Sequence, residues 1–463
     1  MKRLIVGIDG TWQSALHQPH PANLTNISRL LTAIDTLDTR KDPPVVQVKH
    51  YIAGVGTGEE VATGALHGAF GFPNYLRHIY LFGFSRGAYI ARLVCTLIDL
   101  FGILDPTTNL ALFPSLFAAL CLNRDVATKQ GFENAGRLAA LFERVKERRD
   151  RQVAAAKGGF LVQRVGLFDT VPLYHYRSLS SSDHPIRIHL SPFGLPDAPL
   201  PPTIRNAFHA LSVNESRDAY EPLKWEVGSE GLREGQRLEQ TWFAGVHTDV
   251  GGGYSLHDLA DLSLAWLTSR LMPDLSLDSS YLAALSAHPA APWGEMAPRV
   301  RPHHFLDSHP RPLPISPPTP LTGNETLHPS LRHQHPSYLP SSILPLLDEP
   351  GNLVWAVMGD WETKIKEEWA IKHAAAPSAA GPASAPPSPT LSSPSSHDFP
   401  PAPRAVLGTA SPFLPTARQA ERDTLAMERQ KLVNERKKLA EEVREERAKV
   451  RAAGDAPGLR KGR

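Results

Sequence analysis

Residues 78–94 read His-Ile-Tyr-Leu-Phe-Gly-Phe-Ser-Arg-Gly-Ala-Tyr-Ile-Ala-Arg-Leu-Val, and this stretch limits the fold more than any other. Residues 79–82 are a short apolar, β-prone run, and residues 88–100 are small and apolar without turn signals, which predicts a helix. Between them stands Gly83-Phe84-Ser85-Arg86-Gly87. A strand that turns into a helix within five residues leaves little room for side chains at the crossing, so glycines flank the turn. A serine at the apex has its Oγ pushed outward, while the helix N-terminus aims backbone N–H groups at whatever that oxygen meets. The stretch reads as a nucleophile elbow. The competing reading is an ordinary βα turn that contains a serine.

Other strand-like runs end in polar residues, as they do at the carboxyl edge of an α/β sheet where such folds keep their ligands. Residues 3–8, rich in Leu, Ile and Val, predict a buried parallel strand that stops at Asp9-Gly10-Thr11; a tight turn around Asp9 is the alternative. Residues 23–37 have helical spacing with Asn23, Thr25 or Asn26 as caps, and residues 45–52 predict a second strand. The glycines at 54, 56 and 58 do not fit G-x-G-x-x-G, since Glu59 stands where the third is needed, so a dinucleotide site is discounted. Residues 135–153 predict a charged amphipathic helix and residues 160–168 a buried strand running into Asp169. Residues 204–213 look helical, with Arg205, His209, Glu215 and Arg217 assigned to salt bridges and packing. Residues 239–243 predict the last strand; behind it comes Gly245-Val246-His247-Thr248-Asp249-Val250-Gly251-Gly252-Gly253, then an apolar helix over 256–271.

Composition divides the chain. Most of the 43 prolines fall after about residue 190, and residues 374–416 are an Ala/Pro/Ser-rich stretch that cannot offset its ordering entropy by burial, so it predicts a disordered linker. Residues 417–453 predict a highly charged helix, a weak coiled coil with a seven-residue step at Leu425, Leu432 and Leu439, and residues 454–463 a basic tail. Residues 1–373 are left as one α/β domain. The histidines of 274–345, such as His303, His304, His333 and His335, lack metal-site spacing and are expected on exposed loops. A net charge of +2 gives no general attraction to nucleic acid, and the two cysteines, Cys95 and Cys121, cannot frame a disulfide fold. No signal peptide or bilayer-spanning run is read, so the expectation is a cytoplasmic protein without transmembrane segment, cofactor or metal, with a protein partner for the C-terminal helix as a candidate role.

Ser85, Asp169 and His247 occur in the order expected of an α/β-hydrolase, each at or just after a predicted strand. In that reading His247 takes the Ser85 proton, Asp169 fixes the imidazole, and Ser85 Oγ attacks an ester carbonyl. The N–H of Arg86 and one from the Gly10-Thr11 loop are the expected oxyanion donors.

Several ordered blocks carry a family resemblance: Ile8-Asp9-Gly10-Thr11-Trp12, Gly54-Val55-Gly56-Thr57, LFGFSRGAYIAR at 81–92, VGLFDTV at 165–171, WFAGVHTDVGGGY at 242–254 and TGNETLHPSLR at 322–332. Together they resemble the α/β-hydrolase domain shared with type VI secretion phospholipase effectors, over roughly residues 1 to 345. The resemblance implies a mainly parallel sheet flanked by helices and a serine hydrolase of lipid esters, phospholipase-like. It places Ser85, Asp169 and His247 at the matching positions, with Asp9 and Asp249 as candidate second acids. One departure stands out: a long helix and a Pro-Gly-Asp turn expected before the elbow strand are replaced by Gly71-Phe72-Pro73-Asn74. This keeps open a second expectation, a catalytically inactive hydrolase-fold interaction protein.

Overall fold

The protein is represented by a computed structural model that describes residues 2–11, 13–15, 23–54, 76–104, 113, 116, 139–172, 199–299, 311, 324–347 and 355–375. The chain divides into two units, Met1–Ser378 and Ala379–Arg463, and every described residue belongs to the first. Cys121, the linker from residue 376 on, the expected terminal helix, the basic tail and the segment preceding the elbow strand lie outside the described residues, as do His303 and His304, while residues 374 and 375 of the expected linker close a helix.

An eight-stranded sheet forms the centre, in the order β2-β3-β1-β4-β5-β6-β7-β8. Its strands are β1 (Lys2–Ile8), β2 (Leu37–Asp38), β3 (Val45–Ile52), β4 (Leu76–Phe84), β5 (Val162–Phe168), β6 (Ile204–Ser212), β7 (Arg237–Phe243) and β8 (Glu325–Leu327). Every pairing is parallel except that of β2 with β3. Parallel strands need covering on both faces, and the alternation of side chains along each strand supplies apolar groups to both. In β1, Leu4, Val6 and Ile8 join one hydrophobic cluster and Ile5 the other; in β4, Ile79 and Leu81 oppose Tyr80, Phe82 and Phe84 in the same way.

Helices α2 (Arg86–Phe101) and α3 (Ala139–Ala155) belong to the first face. On the second lie α1 (Asn26–Ala33), α5 (Asp258–Leu271), α6 (Ser279–Leu285) and α7 (Asp360–Ala375); the short α4 (His247–Gly251) follows β7. Thr25 is the cap of α1, accepting from the Ser28 N–H at 3.3 Å. Asn26 is fully buried and bonds to the carbonyls of Val250 (3.0 Å) and Ala260 (2.9 Å), which ties α1 to α4 and α5. Cys95 is buried in α2, and burial raises its thiol pKa, as expected of an inert core cysteine.

Three expectations are corrected. The stretch 204–213, expected helical, holds the strand Ile204–Ser212: from Asn206 to Ser212 every residue is buried, and a central parallel strand gives a near-continuous apolar run that periodicity does not separate from a buried helix. Residues 239–243 are not the last strand, because β8 pairs beyond β7. The region 274–345 is not all exposed loop either: Trp293, His328, Leu331 and Ile343 are buried, although His333 and His335 are exposed as expected. Trp242 of β7 explains the docking of β8, since its Nε1–H donates to Glu325 Oε2 at 2.8 Å and Glu325 in turn holds Lys224 at 2.7 Å. Helix α7 is fastened by Glu362, which accepts from Arg270 Nη1 (2.8 Å) and lies 2.9 Å from His328 Nε2.

Candidate active site

The parallel order brings the ends of β1, β4, β5, β6 and β7 to one edge, so Asp9, Ser85, Asp169, Ser212 and His247 follow adjacent strand ends. At the elbow, Ser85 has φ 59° and ψ −126°, a conformation that non-glycine residues adopt only where the surroundings impose it. Those surroundings are close. A Cβ on Gly83 would lie 2.5 Å from Ala88 Cα, and one on Gly87 would collide with the Ile8 and Asp9 carbonyl oxygens. The Ser85 N–H donates to the Phe168 carbonyl at 3.0 Å, which hangs the turn on β5.

Asp169 also has positive φ, 43°. Its carboxylate accepts from the Ser212 N–H (3.0 Å) and Oγ (3.1 Å), lies 2.6 Å from His247 Nδ1, and is gripped by Arg311 through Nη1 (2.6 Å) and Nη2 (2.9 Å). Burial by itself would raise the pKa of this acid; the Arg311 charge and the His247 hydrogen bond outweigh it and hold the carboxyl far below the usual range. For His247 the balance goes the other way. Burial lowers the imidazole pKa, and Asp169 opposes this only in part.

The imidazole is held on two sides by aromatic rings. Phe84, the residue before Ser85, stacks on it with centroids 4.7 Å apart, and Tyr220 meets it edge-on at 4.8 Å. The His247 backbone N–H donates to Glu215 Oε2 at 3.2 Å, and the Gly245 N–H, at a φ of 113° that favours glycine, donates to Asn214 at 2.7 Å. Tyr220 is itself anchored, since the following Leu223 bonds to the Thr170 carbonyl and Arg92 of α2 takes the Leu223 (2.5 Å) and Lys224 (3.2 Å) carbonyls. No hydrogen bond joins Ser85 Oγ to His247 among the described residues; the ring that meets the imidazole is that of Phe84, the neighbour of Ser85 in the chain.

The remaining expected residues have assignable places. Gly10 packs against the elbow, where a Cβ would lie 3.2 Å from Ser85 Cβ, but its N–H is taken by Asp9 Oδ1 at 2.8 Å. Arg86 provides the first N–H of α2, which no carbonyl within that helix can take, and its Nη1 reaches Thr11 Oγ1 at 3.4 Å. Asp9 is buried and accepts from Thr25, Ser28 and Tyr51 as well as Gly10; burial raises its pKa despite these bonds. Asp249 accepts the N–H groups of Val246 and Arg299, both at 3.0 Å, and caps α4. Neither acid is bonded to His247: Asp9 gathers three hydroxyls and one backbone N–H, and Asp249 anchors backbone. His209, read as part of a salt-bridge cluster, is instead a buried acceptor for the Thr170 N–H at 3.1 Å, with its pKa lowered to about 3 by burial and then by Arg92. Glu215 and Arg217 do pair, at 2.8 Å.

Sequence reasoning missed Ser212, Tyr220 and Arg311. Arg311 is a single arginine in a proline-rich stretch and carries no signal; Ser212 was hidden by the helical reading of β6. Among the described residues no group of three or more His, Cys, Asp and Glu side chains has a metal-binding arrangement, and no helix is long and apolar enough to cross a membrane.

Comparison with known proteins bears on this site. A search of curated proteins gave no match. Among solved structures, a Tle1 effector bound to the VgrG spike from the type 6 secretion system is similar at 17% identity, over 55% of this chain and 51% of that one, with a TM-score of 0.22. The chain thus spans about half the length of that protein. The family model of the T6SS phospholipase effector Tle1-like catalytic domain matches residues 2–270, a segment from β1 into α5 that includes Ser85, Asp169 and His247 and takes in more than half of the sequence. The chain belongs to the T6SS Tle1-like phospholipase effector catalytic-domain family.

Proposed function

We propose that the chain is a serine hydrolase of lipid esters, phospholipase-like, in which Ser85 is the nucleophile, His247 the general base and Asp169 the acid that orients it. Family membership supports a lipase- or phospholipase-type hydrolase. The observation that carries the finer assignment is the 2.6 Å Asp169–His247 contact, with the same imidazole stacked on the residue next to a strained Ser85. Asp169 accepts the Nδ1 proton, so Nε2 is the basic nitrogen. Nε2 takes the Ser85 proton as Oγ attacks the ester carbonyl, and a tetrahedral oxyanion forms that the Arg86 and Thr11 N–H groups are proposed to hold. Collapse breaks the ester C–O bond, His247 returns the proton to the leaving alcohol, and water then cleaves the acyl-Ser85 ester by the same steps.

The domain scheme of an α/β-hydrolase unit over 1–373, a linker over 374–416, a charged helix over 417–453 and a basic tail over 454–463 accompanies this proposal. A second reading, a hydrolase fold that binds partners without turnover, is favoured by the missing Ser85–His247 hydrogen bond among the described residues. Labelling with a fluorophosphonate probe and turnover of mixed phospholipid vesicles decide between them. Ester hydrolysis abolished by Ser85→Ala, together with adduct mapped to Ser85, supports the enzyme. A folded protein without either supports the binding protein.

A further inference from the structure

Asp169 meets its histidine already engaged by a cation. Arg311 is buried to 2% exposure and presents both terminal nitrogens to the two carboxylate oxygens, a planar fork that a lysine cannot reproduce. The same guanidinium spans the neighbouring strand end and loop: Nη1 also donates to the Ser212 carbonyl (2.9 Å) and Oγ (2.7 Å), and Nη2 to the Tyr220 carbonyl. It therefore touches the acid, a second hydrogen-bond donor to that acid and the residue whose ring edges the imidazole. From these contacts, and resting on the proposed triad, we infer that Arg311 is a positioning residue: it fixes the Asp169 carboxylate in the rotamer that serves His247 and sets the pH at which that imidazole becomes competent.

The electrostatic consequence follows from counting what faces the pair. Asp169 contributes one negative charge and Arg311 one positive charge, so an imidazolium forming at His247 meets a neutralised partner. From the other described elements, Glu215 lies at the His247 backbone and acts for protonation but is itself paired with Arg217, His209 is neutral behind Thr170, and Tyr220 presents its ring edge. Among the described residues Arg311 is thus the cation that offsets Asp169, and its field acts against protonation of His247 while Asp169 acts for it. The arrangement gives a base that stays neutral at lower pH than a triad whose acid has no cation beside it.

The whole 463-residue chain tests this with Arg311→Met, Arg311→Lys, Asp169→Asn and Ser85→Ala. The His247 imidazole is titrated by NMR of 15N-histidine-labelled protein, its signal identified by its loss in His247→Gln, and kcat and KM on a soluble p-nitrophenyl ester are followed against pH. Arg311→Met is expected to move the His247 midpoint, and the acid limb of kcat/KM with it, upward by about one pH unit. Its plateau kcat should fall about tenfold or more with little change in KM, and in an Asp169→Asn background it should add almost nothing. Arg311→Lys keeps the charge and loses the fork, so the midpoint should stay near wild type while kcat falls about threefold or more. A folded Arg311→Met with an unmoved midpoint overturns the inference. If that variant does not fold, Arg311→Lys with both wild-type kcat and wild-type midpoint overturns it. Undiminished turnover in Ser85→Ala refutes the hydrolase reading and this role together, whereas an inactive Ser85→Ala beside a wild-type-like Arg311→Met refutes the role alone.

Discussion

Replacing Gly83 by alanine probes the crossing of β4 and α2 on which the elbow is built. The added Cβ would stand 2.5 Å from Ala88 Cα and 2.7 Å from both Ala88 N and Gly87 O. Unstrained carbon contacts lie at about 3.5–4.0 Å, so α2 must retreat from the strand by roughly 1 Å. Every atom struck is main chain, which no rotamer change can move. Overpacking costs typically run to about 1–3 kcal/mol, and this site belongs at the upper end. With a urea m-value of about 3 kcal/mol/M the unfolding midpoint should fall by about 0.7–1 M. A shift of that size also moves Ser85 against Phe168, Phe84 and His247, and a misplacement of about 1 Å lowers turnover about 100-fold. Urea titration followed by tryptophan fluorescence, with ester turnover beside it, measures both effects. Gly228→Ala, where nothing lies within 4 Å of the new methyl, is the matched control and should leave the midpoint in place. Ala88→Gly should not rescue Gly83→Ala, because the clash is with Cα and N. A Gly83→Ala protein with wild-type midpoint, or one restored by Ala88→Gly, would refute the steric account of the elbow.

Other outcomes follow from the charges. Because burial lowers the His247 pKa, the acid limb of kcat/KM should lie below the ordinary histidine value of about 6.5, activity being lost as pH falls through it; a limb above pH 7 contradicts the assignment of the base. His209 stays neutral in the native state down to about pH 3 while the unfolded chain takes up its proton near 6.5, so stability drops as pH falls between those values, by roughly 1.4 kcal/mol per unit. His209→Gln should flatten the dependence of the urea midpoint on pH in that window, and an unchanged slope would count against it. Glu362→Ala leaves His328 Nε2 without its partner and Arg270 with Glu239 alone, and should cost about 1–3 kcal/mol, read as a lower urea midpoint; an unmoved midpoint would show that α7 is held by its tryptophans alone.

Much of this was legible in the residues because parallel strands are short, apolar and end in polar groups. β1, β3, β4, β5 and β7 coincide with the expected runs to within three residues at either end, and the Asp169–His247 contact joins two residues separated by 78 positions that only the order of motifs had linked. What was not legible has physical reasons. β6 is buried on both faces, so its Ile, Phe and Leu lack the alternation that marks a half-exposed strand. β8 has three residues, too few for any pattern. Arg311 reaches Asp169 across 142 positions with no periodic feature of its own, and the capture of the Gly10 N–H by Asp9 depends on one side-chain rotamer.

The family-model match ends at residue 270, yet the sheet does not. Glu325, which satisfies the indole of Trp242, Glu362, which shares Arg270 with Glu239, and Trp293 packed edge-on against Trp369 all come from later in the chain. A polypeptide stopped at the end of that match would carry Ser85, Asp169 and His247 but bare a tryptophan, leave Arg270 with Glu239 alone and lose the guanidinium at Asp169. The matched segment and the self-sufficient fold therefore have different endpoints here, and any excised fragment must extend through residue 375 to hold its own shape.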